Sequence, residues 1–296
     1  MNTRRSSSLA GYAKERFRLQ VRTALCAWLL AETTIVAVAG DFNGDGFDDI
    51  AVGIPGEDVG GALDAGAVQV FKGSALGVTP GKFWSENTTD VRDSAEYSDV
   101  FGTATASSDF NGDGFDDLAV GVPGESCPSS YCGAVHVFYG HSNGLQATDP
   151  DDQRWTQDSP GLGGSASGGD RFGDDVATCD FDGDTFADLA IGVPADSDNG
   201  GAASGAVNVL YGTASGLSAN RTQLWTRDDP NVRGTADAYD YFGSSVTCAD
   251  FNGDGFADLA IGVPFSDPSG EADAGTVSVI FGSPSGLQAS GSGGRA

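Results

Sequence analysis

The chain has 296 residues, 45 of them glycine, and carries 42 Asp and Glu against 15 Lys and Arg, for a formal net charge of −27. That balance excludes nucleic acid as a partner, because phosphate recognition needs clustered Lys and Arg. The glycine share is about twice the usual one and suits an all-β chain with many tight turns.

Residues 1–40 hold six basic and two acidic residues, whereas 41–296 hold nine basic and 40 acidic. The basic stretch leads into the apolar Ala24–Ala31 and then Ile35–Ala39, a pattern that resembles a signal peptide with an Ala-x-Ala end, although Glu32 interrupts it. By position, Thr33–Gly40 also reads as the first strand of a repeat. Residues 1–32 are therefore assigned to a signal or targeting segment. No later apolar run approaches the 18 residues of a membrane span, so a secreted or cell-surface location is expected. Few lysines among the basic residues and an Ala- and Gly-rich composition point to a bacterial source.

From residue 41 one motif organises the chain. It reads DFNGDGFDDIAVGIP from Asp41, DFNGDGFDDLAVGVP from Asp109, DFDGDTFADLAIGVP from Asp180 and DFNGDGFADLAIGVP from Asp250, at spacings of 68, 71 and 70 residues. Such a period fits one four-stranded sheet per repeat. The domain runs from 33 to 287, in repeats 33–96, 97–167, 168–238 and 239–287, with 288–296 a Gly/Ser tail.

Each loop offers side-chain oxygens at positions 1, 3, 5 and 9, with glycines that permit a tight winding. Carboxylates so close repel unless a hard cation joins them, and Ca²⁺ tolerates irregular oxygen sites better than Mg²⁺. The expected ligands are Asp41, Asn43, Asp45 and Asp49 with the Phe47 carbonyl; Asp109, Asn111, Asp113 and Asp117 with that of Phe115; Asp180, Asp182, Asp184 and Asp188 with that of Phe186; and Asp250, Asn252, Asp254 and Asp258 with that of Phe256. Up to four structural Ca²⁺ ions follow. A single copy could be ordinary hairpin-turn chemistry. Four copies favour metal, on the premise that a plain turn has no use for the ninth carboxylate. In the third loop Thr185 replaces the glycine of position 6, which costs stability if that position needs a positive φ.

Within a repeat, Phe242–Ala249 reads as strand one, Asp258–Val263 as strand two and Gly275–Gly282 as strand three, with valines between blades and Gln69, His136, Asn208 and Ser278 facing the other way. Strand four carries Trp84, Trp155 or Trp225 as an anchor, and the fourth repeat has no such strand. Cys127 and Cys132 bracket a short excursion and are expected to form a disulfide, in keeping with export. Cys179 and Cys248 precede their loops by one and two residues, on opposite faces of equivalent strands, which argues little for pairing. Asn87 and Asn220 fit glycosylation sequons. The two histidines read as surface residues, and no His-Glu-x-x-His or phosphate loop is present, so catalysis is not expected.

The loop, the Gly-x-Pro after it and a Phe-Gly pair eight residues before it (Phe101-Gly102, Phe172-Gly173, Phe242-Gly243) resemble FG-GAP repeats. Those repeats form the β-propeller of integrin α subunits and of phosphatidylinositol-glycan-specific phospholipase D. The resemblance implies an all-β propeller of about four calcium-binding blades, incomplete beside a seven-bladed family fold. It also implies a non-catalytic adhesion or binding module for protein or surface glycan, or an accessory module of a hydrolase. A second copy could complete the ring.

Overall fold

The computed structural model describes residues 36–126, 131–148, 151–198, 201–268 and 272–289. The targeting segment, Cys127 and most of the tail lie outside them. Four antiparallel sheets follow one another, each a simple meander. Blade one contains β1 (Ala37–Gly40), β2 (Asp49–Ile54), β3 (Ala67–Lys72) and β4 (Thr79–Trp84). Blade two contains β5 (Ala104–Ser108), β6 (Asp117–Val122), β7 (Ala134–Phe138) and β8 (Gln153–Trp155). Blade three has β9 (Val176–Cys179), β10 (Asp188–Val193), β11 (Ala206–Tyr211) and β12 (Ser218–Trp225), and blade four has β13 (Ser245–Ala249), β14 (Asp258–Val263) and β15 (Thr276–Ile280). Among the described residues no helix is long and apolar enough to cross a membrane.

The first strands pack on one another in sequence, β1 on β5, β5 on β9 and β9 on β13, and no comparable packing returns β13 to β1 among the described residues. The result is a propeller arc of four blades. Its interfaces are close because one strand face is small. A Cβ on Gly192 would lie 2.2 Å from the carbonyl oxygen of Gly243, so backbone meets backbone there. Gly243 has φ 92°, a conformation that favours glycine, and its N–H donates to the Gly262 carbonyl at 3.1 Å. Phe242, fully buried, bridges to Gly205 of the preceding blade. The Phe-Gly pair is thus a clasp between blades rather than the start of a strand, which is why β13 begins at Ser245 and not at Phe242.

Burial follows the alternation of the strands. Val207 and Val209 of β11 are fully buried in the same cluster as Leu259, Ile261 and Val263 of blade four. Trp84, paired with Val68 across β3 and β4, is buried and lies 4.6 Å from Phe138 of the next blade, ring centre to ring centre. It therefore anchors the outer strand and the interface together. Blade four lacks a successor among the described residues: Val277 is 64% and Val279 39% exposed where Val207 and Val209 are 0%.

One sequence reading is corrected by the structure, and one left open is decided. His136 is fully buried and not a surface residue, because the face opposite the valines is covered by the preceding blade; its ring centre lies 5.7 Å from that of Phe101. His141 is half-buried. Cys179 and Cys248 do pair, with Cα atoms 6.3 Å apart. Adjacent blades meet through opposite faces of equivalent strands, so the offset that left the pairing open is the one an inter-blade bond requires. Cys132 is buried and disulfide-bonded, and its expected partner Cys127 lies outside the described residues.

Candidate metal centres

Each acidic loop joins the first strand of a blade to the second, and its backbone is wound around the first aspartate. In loop two Asp109 accepts from the N–H groups of Gly112, Asp113 and Gly114 at 2.6, 3.2 and 2.9 Å, and Asp250 is held in the same way by Gly253, Asp254 and Gly255. Those donors stabilise the anion: Asp250 sits below the usual carboxylate range, chiefly through the Gly255 N–H. The fifth-position side chain caps the seventh residue, as in Asp113 accepting from Phe115 N–H at 3.0 Å.

The ninth aspartate has a structural task of its own, which removes the premise that a plain turn would not use it. Asp117 accepts from Phe110 N–H and from Gly140 N–H, both at 2.8 Å, and so ties the loop to the end of β7. Asp188 and Asp258 repeat both bonds, and Asp49 takes Gly73 N–H and the Asn43 amide. Burial pushes Asp117 and Asp188 up to about 8 despite these donors, and their sister loop carboxylates add to the rise. A divalent cation would relieve the same repulsion, since each oxygen has a second lone pair.

The expected ligands come together most closely in loop three, where Asp180, Asp182 and Asp188 place oxygens within 4.8 Å of one another. Asp182 also meets Arg221 at 2.9 Å. Burial raises Asp184 in the same loop. In loops one, two and four the third-position Asn43, Asn111 and Asn252 donate their amides to Asp49, Asp113 and Asp254 at 3.0, 3.0 and 2.9 Å. Those amides relieve negative charge as a cation would.

The loops also form a continuous row, which no single motif revealed. The first-position carbonyl of each accepts from the eighth residue of the next: Asp116 N–H to Asp41, Ala187 to Asp109 and Ala257 to Asp180, at 3.1, 3.0 and 3.1 Å. Phe115, Phe186 and Phe256 lay their rings against Gly44, Gly112 and Gly183 of the preceding loop, where a Cβ would come within 2.6 Å of the ring.

Thr185 has φ 78° where its sisters Gly46, Gly114 and Gly255 have 84°, 88° and 95°. A β-branched residue there is strained, so Thr185→Gly should raise stability by about 1 kcal/mol. Chemical denaturation in EDTA checks this, and a loss of stability would contradict it.

The FG-GAP repeat family model matches residues 33–71, 101–138, 172–210 and 242–280, more than half of the chain. The chain belongs to the FG-GAP repeat family. Its repeats are similar to part of phosphatidylinositol-glycan-specific phospholipase D from Bos taurus, 35% identical over 182 residues, covering 61% of this chain and 20% of the relative. The Homo sapiens phospholipase is 36% identical over 187 residues, covering 62% and 21%. Integrin alpha-PS2 of Drosophila melanogaster is 32% identical over 237 residues, covering 78% and 15%. The chain thus spans about a fifth or less of these relatives. Each family match runs from strand one to strand three of a blade, through the acidic loop, and the clasp and close-packed glycines account for the recurring residues around it.

Proposed function

We propose that this chain is an exported, Ca²⁺-stabilised FG-GAP propeller module that binds another macromolecule and carries no catalytic activity of its own. The observation that carries the reading is the row of four acidic loops along one end of the arc, with the carboxylates of Asp180, Asp182 and Asp188 converging in the third. Ca²⁺ would hold each first hairpin with an affinity of roughly 10⁻⁴ to 10⁻³ M, typical of extracellular modules. The Cys179–Cys248 bond supports export, because such bonds persist in oxidising compartments. Likeness to an integrin alpha chain favours a protein ligand over a glycan. The uncovered Val277 and Val279 face fits a further blade of the same kind, from a second copy or a longer chain. A second reading, an accessory module of a phospholipase-like hydrolase, draws on the likeness to the phospholipases.

Equilibrium dialysis of the full chain against CaCl₂ tests the metal reading. Asp113→Asn with Asn111→Ala in loop two should lower the Ca²⁺ bound at saturation by one ion per chain. A chain that takes up no Ca²⁺ in the millimolar range would sink it.

A further inference from the structure

The first blade junction holds buried acidic groups that the calcium loops do not explain. Glu86 follows β4, Asp99 precedes the Phe-Gly clasp, and Glu125 follows β6; all three are at least 96% buried by residue, at 1%, 0% and 4% exposure. One oxygen from each lies within 4.8 Å of the other two. Asp99 spends one oxygen on the Glu96 N–H, and Glu125 spends one on Arg154, at 2.9 Å. The remaining Asp99 Oδ1 and Glu125 Oε2, and both oxygens of Glu86, are buried without a hydrogen-bond partner. An independent group points at the same place. His136, fully buried, brings Nε2 to 3.3 Å from Glu86 Oε1, while its Nδ1 lies 3.8 Å from Asp152, and neither ring nitrogen makes a hydrogen bond of good geometry.

The sister junctions show how this position is otherwise neutralised. At the second junction Gln157 stands for Glu86 and donates to Asp196, the counterpart of Glu125, at 2.7 Å. At the third, Arg227 stands for Glu86 and pairs with Asp240, the counterpart of Asp99, at 2.5 Å, and Ser266 replaces the remaining carboxylate. The same scaffold thus holds an amide, a guanidinium or a third carboxylate. Among the described residues, only the first junction has carboxylates at all three of these positions, and Arg154 supplies one positive charge at their edge.

We infer that Glu86, Asp99 and Glu125 form a separate site for an oxygen-preferring divalent cation between blades one and two. Three buried carboxylates against one Arg154, which also pairs with Asp93 at 2.6 Å, leave an excess of negative charge that a +2 ion would offset, as burial demands. The unpartnered oxygens supply an all-oxygen first set of ligands, and His136 Nε2, 3.3 Å from Glu86 Oε1, stands where an outer partner of a metal-ligating carboxylate would. The ion would join the end of β4 to the next blade, at the level where Trp84 seals the apolar part of the same interface.

The test uses the full chain, stripped of metal and titrated with CaCl₂, with bound ions counted by equilibrium dialysis. Glu86→Gln places at the first junction the residue that the second junction already carries, so the fold should be retained. It should bind one Ca²⁺ fewer than the unsubstituted chain, and combined with the loop-two variant it should bind two fewer. Glu125→Ser, the residue of the third junction, gives an independent arm with the same expected loss. An unchanged count in both variants would overturn the site, leaving a cluster neutralised by protons. The loop reading would be untouched, because the loop-two variant reports on it separately.

Discussion

Adding 10 mM CaCl₂ to the metal-free chain at constant ionic strength should raise its unfolding free energy by about 6 kcal/mol or more. Each loop that binds with a dissociation constant of roughly 10⁻⁴ to 10⁻³ M contributes RT ln(1 + [Ca²⁺]/Kd), about 1.4 to 2.7 kcal/mol. Four loops sum to about 6 to 11 kcal/mol, or at least about 12 °C in melting temperature for a chain of this size. Constant ionic strength matters because a chain of net charge −27 gains from screening alone. MgCl₂ at the same concentration should do much less, since these irregular loops do not offer Mg²⁺ its octahedron. A melt that ignores Ca²⁺ would leave the loops as turns held by backbone donors to Asp109 and Asp117 and their equivalents.

Period, strand order and loop position are legible in the sequence because they depend on local spacing. Strand two of every blade begins at the ninth loop aspartate, and its alternation of Leu, Ile or Val with Ala or Gly announces both faces. The role of that aspartate is not legible, since its partners Gly140, Gly212 and Gly282 lie 23 or 24 residues away and lend only backbone N–H groups. The burial of His136 is hidden for a related reason. A polar residue alternating with valines reads as solvent-facing in a single sheet, yet in a propeller both faces of a middle blade are covered. A signal for the first junction does exist. Aligning the repeats sets Glu86, Gln157 and Arg227 in one column and Glu125, Asp196 and Ser266 in another, and such changes of charge at a fixed position mark a buried junction solved three ways.

The Cys179–Cys248 bond is expected to contribute roughly 4 kcal/mol, so a Cys179→Ser, Cys248→Ser chain should lose about that much stability. The estimate comes from loop closure: the bond spans 69 residues, and restricting a loop of that length in the unfolded chain is worth about 4.4 kcal/mol at 25 °C. Its position makes the effect specific. The bond joins β9 to β13, and blade four has a three-stranded sheet whose valine face is uncovered, so fewer apolar contacts hold this blade than its neighbours. Removing the bond should therefore loosen blade four first. Amide exchange in β13, β14 and β15 should accelerate before that in β6 and β7, whose strands are buried along their whole length. Blade three keeps its clasp to blade two through Phe172 and Gly133 and should respond less. Uniform acceleration across all four blades would show that the arc unfolds as one unit and that the bond stabilises it only globally. A loss of under about 1 kcal/mol would show that residual structure in the reduced, unfolded chain already keeps the β9 and β13 segments near each other, so that the bond removes little further freedom.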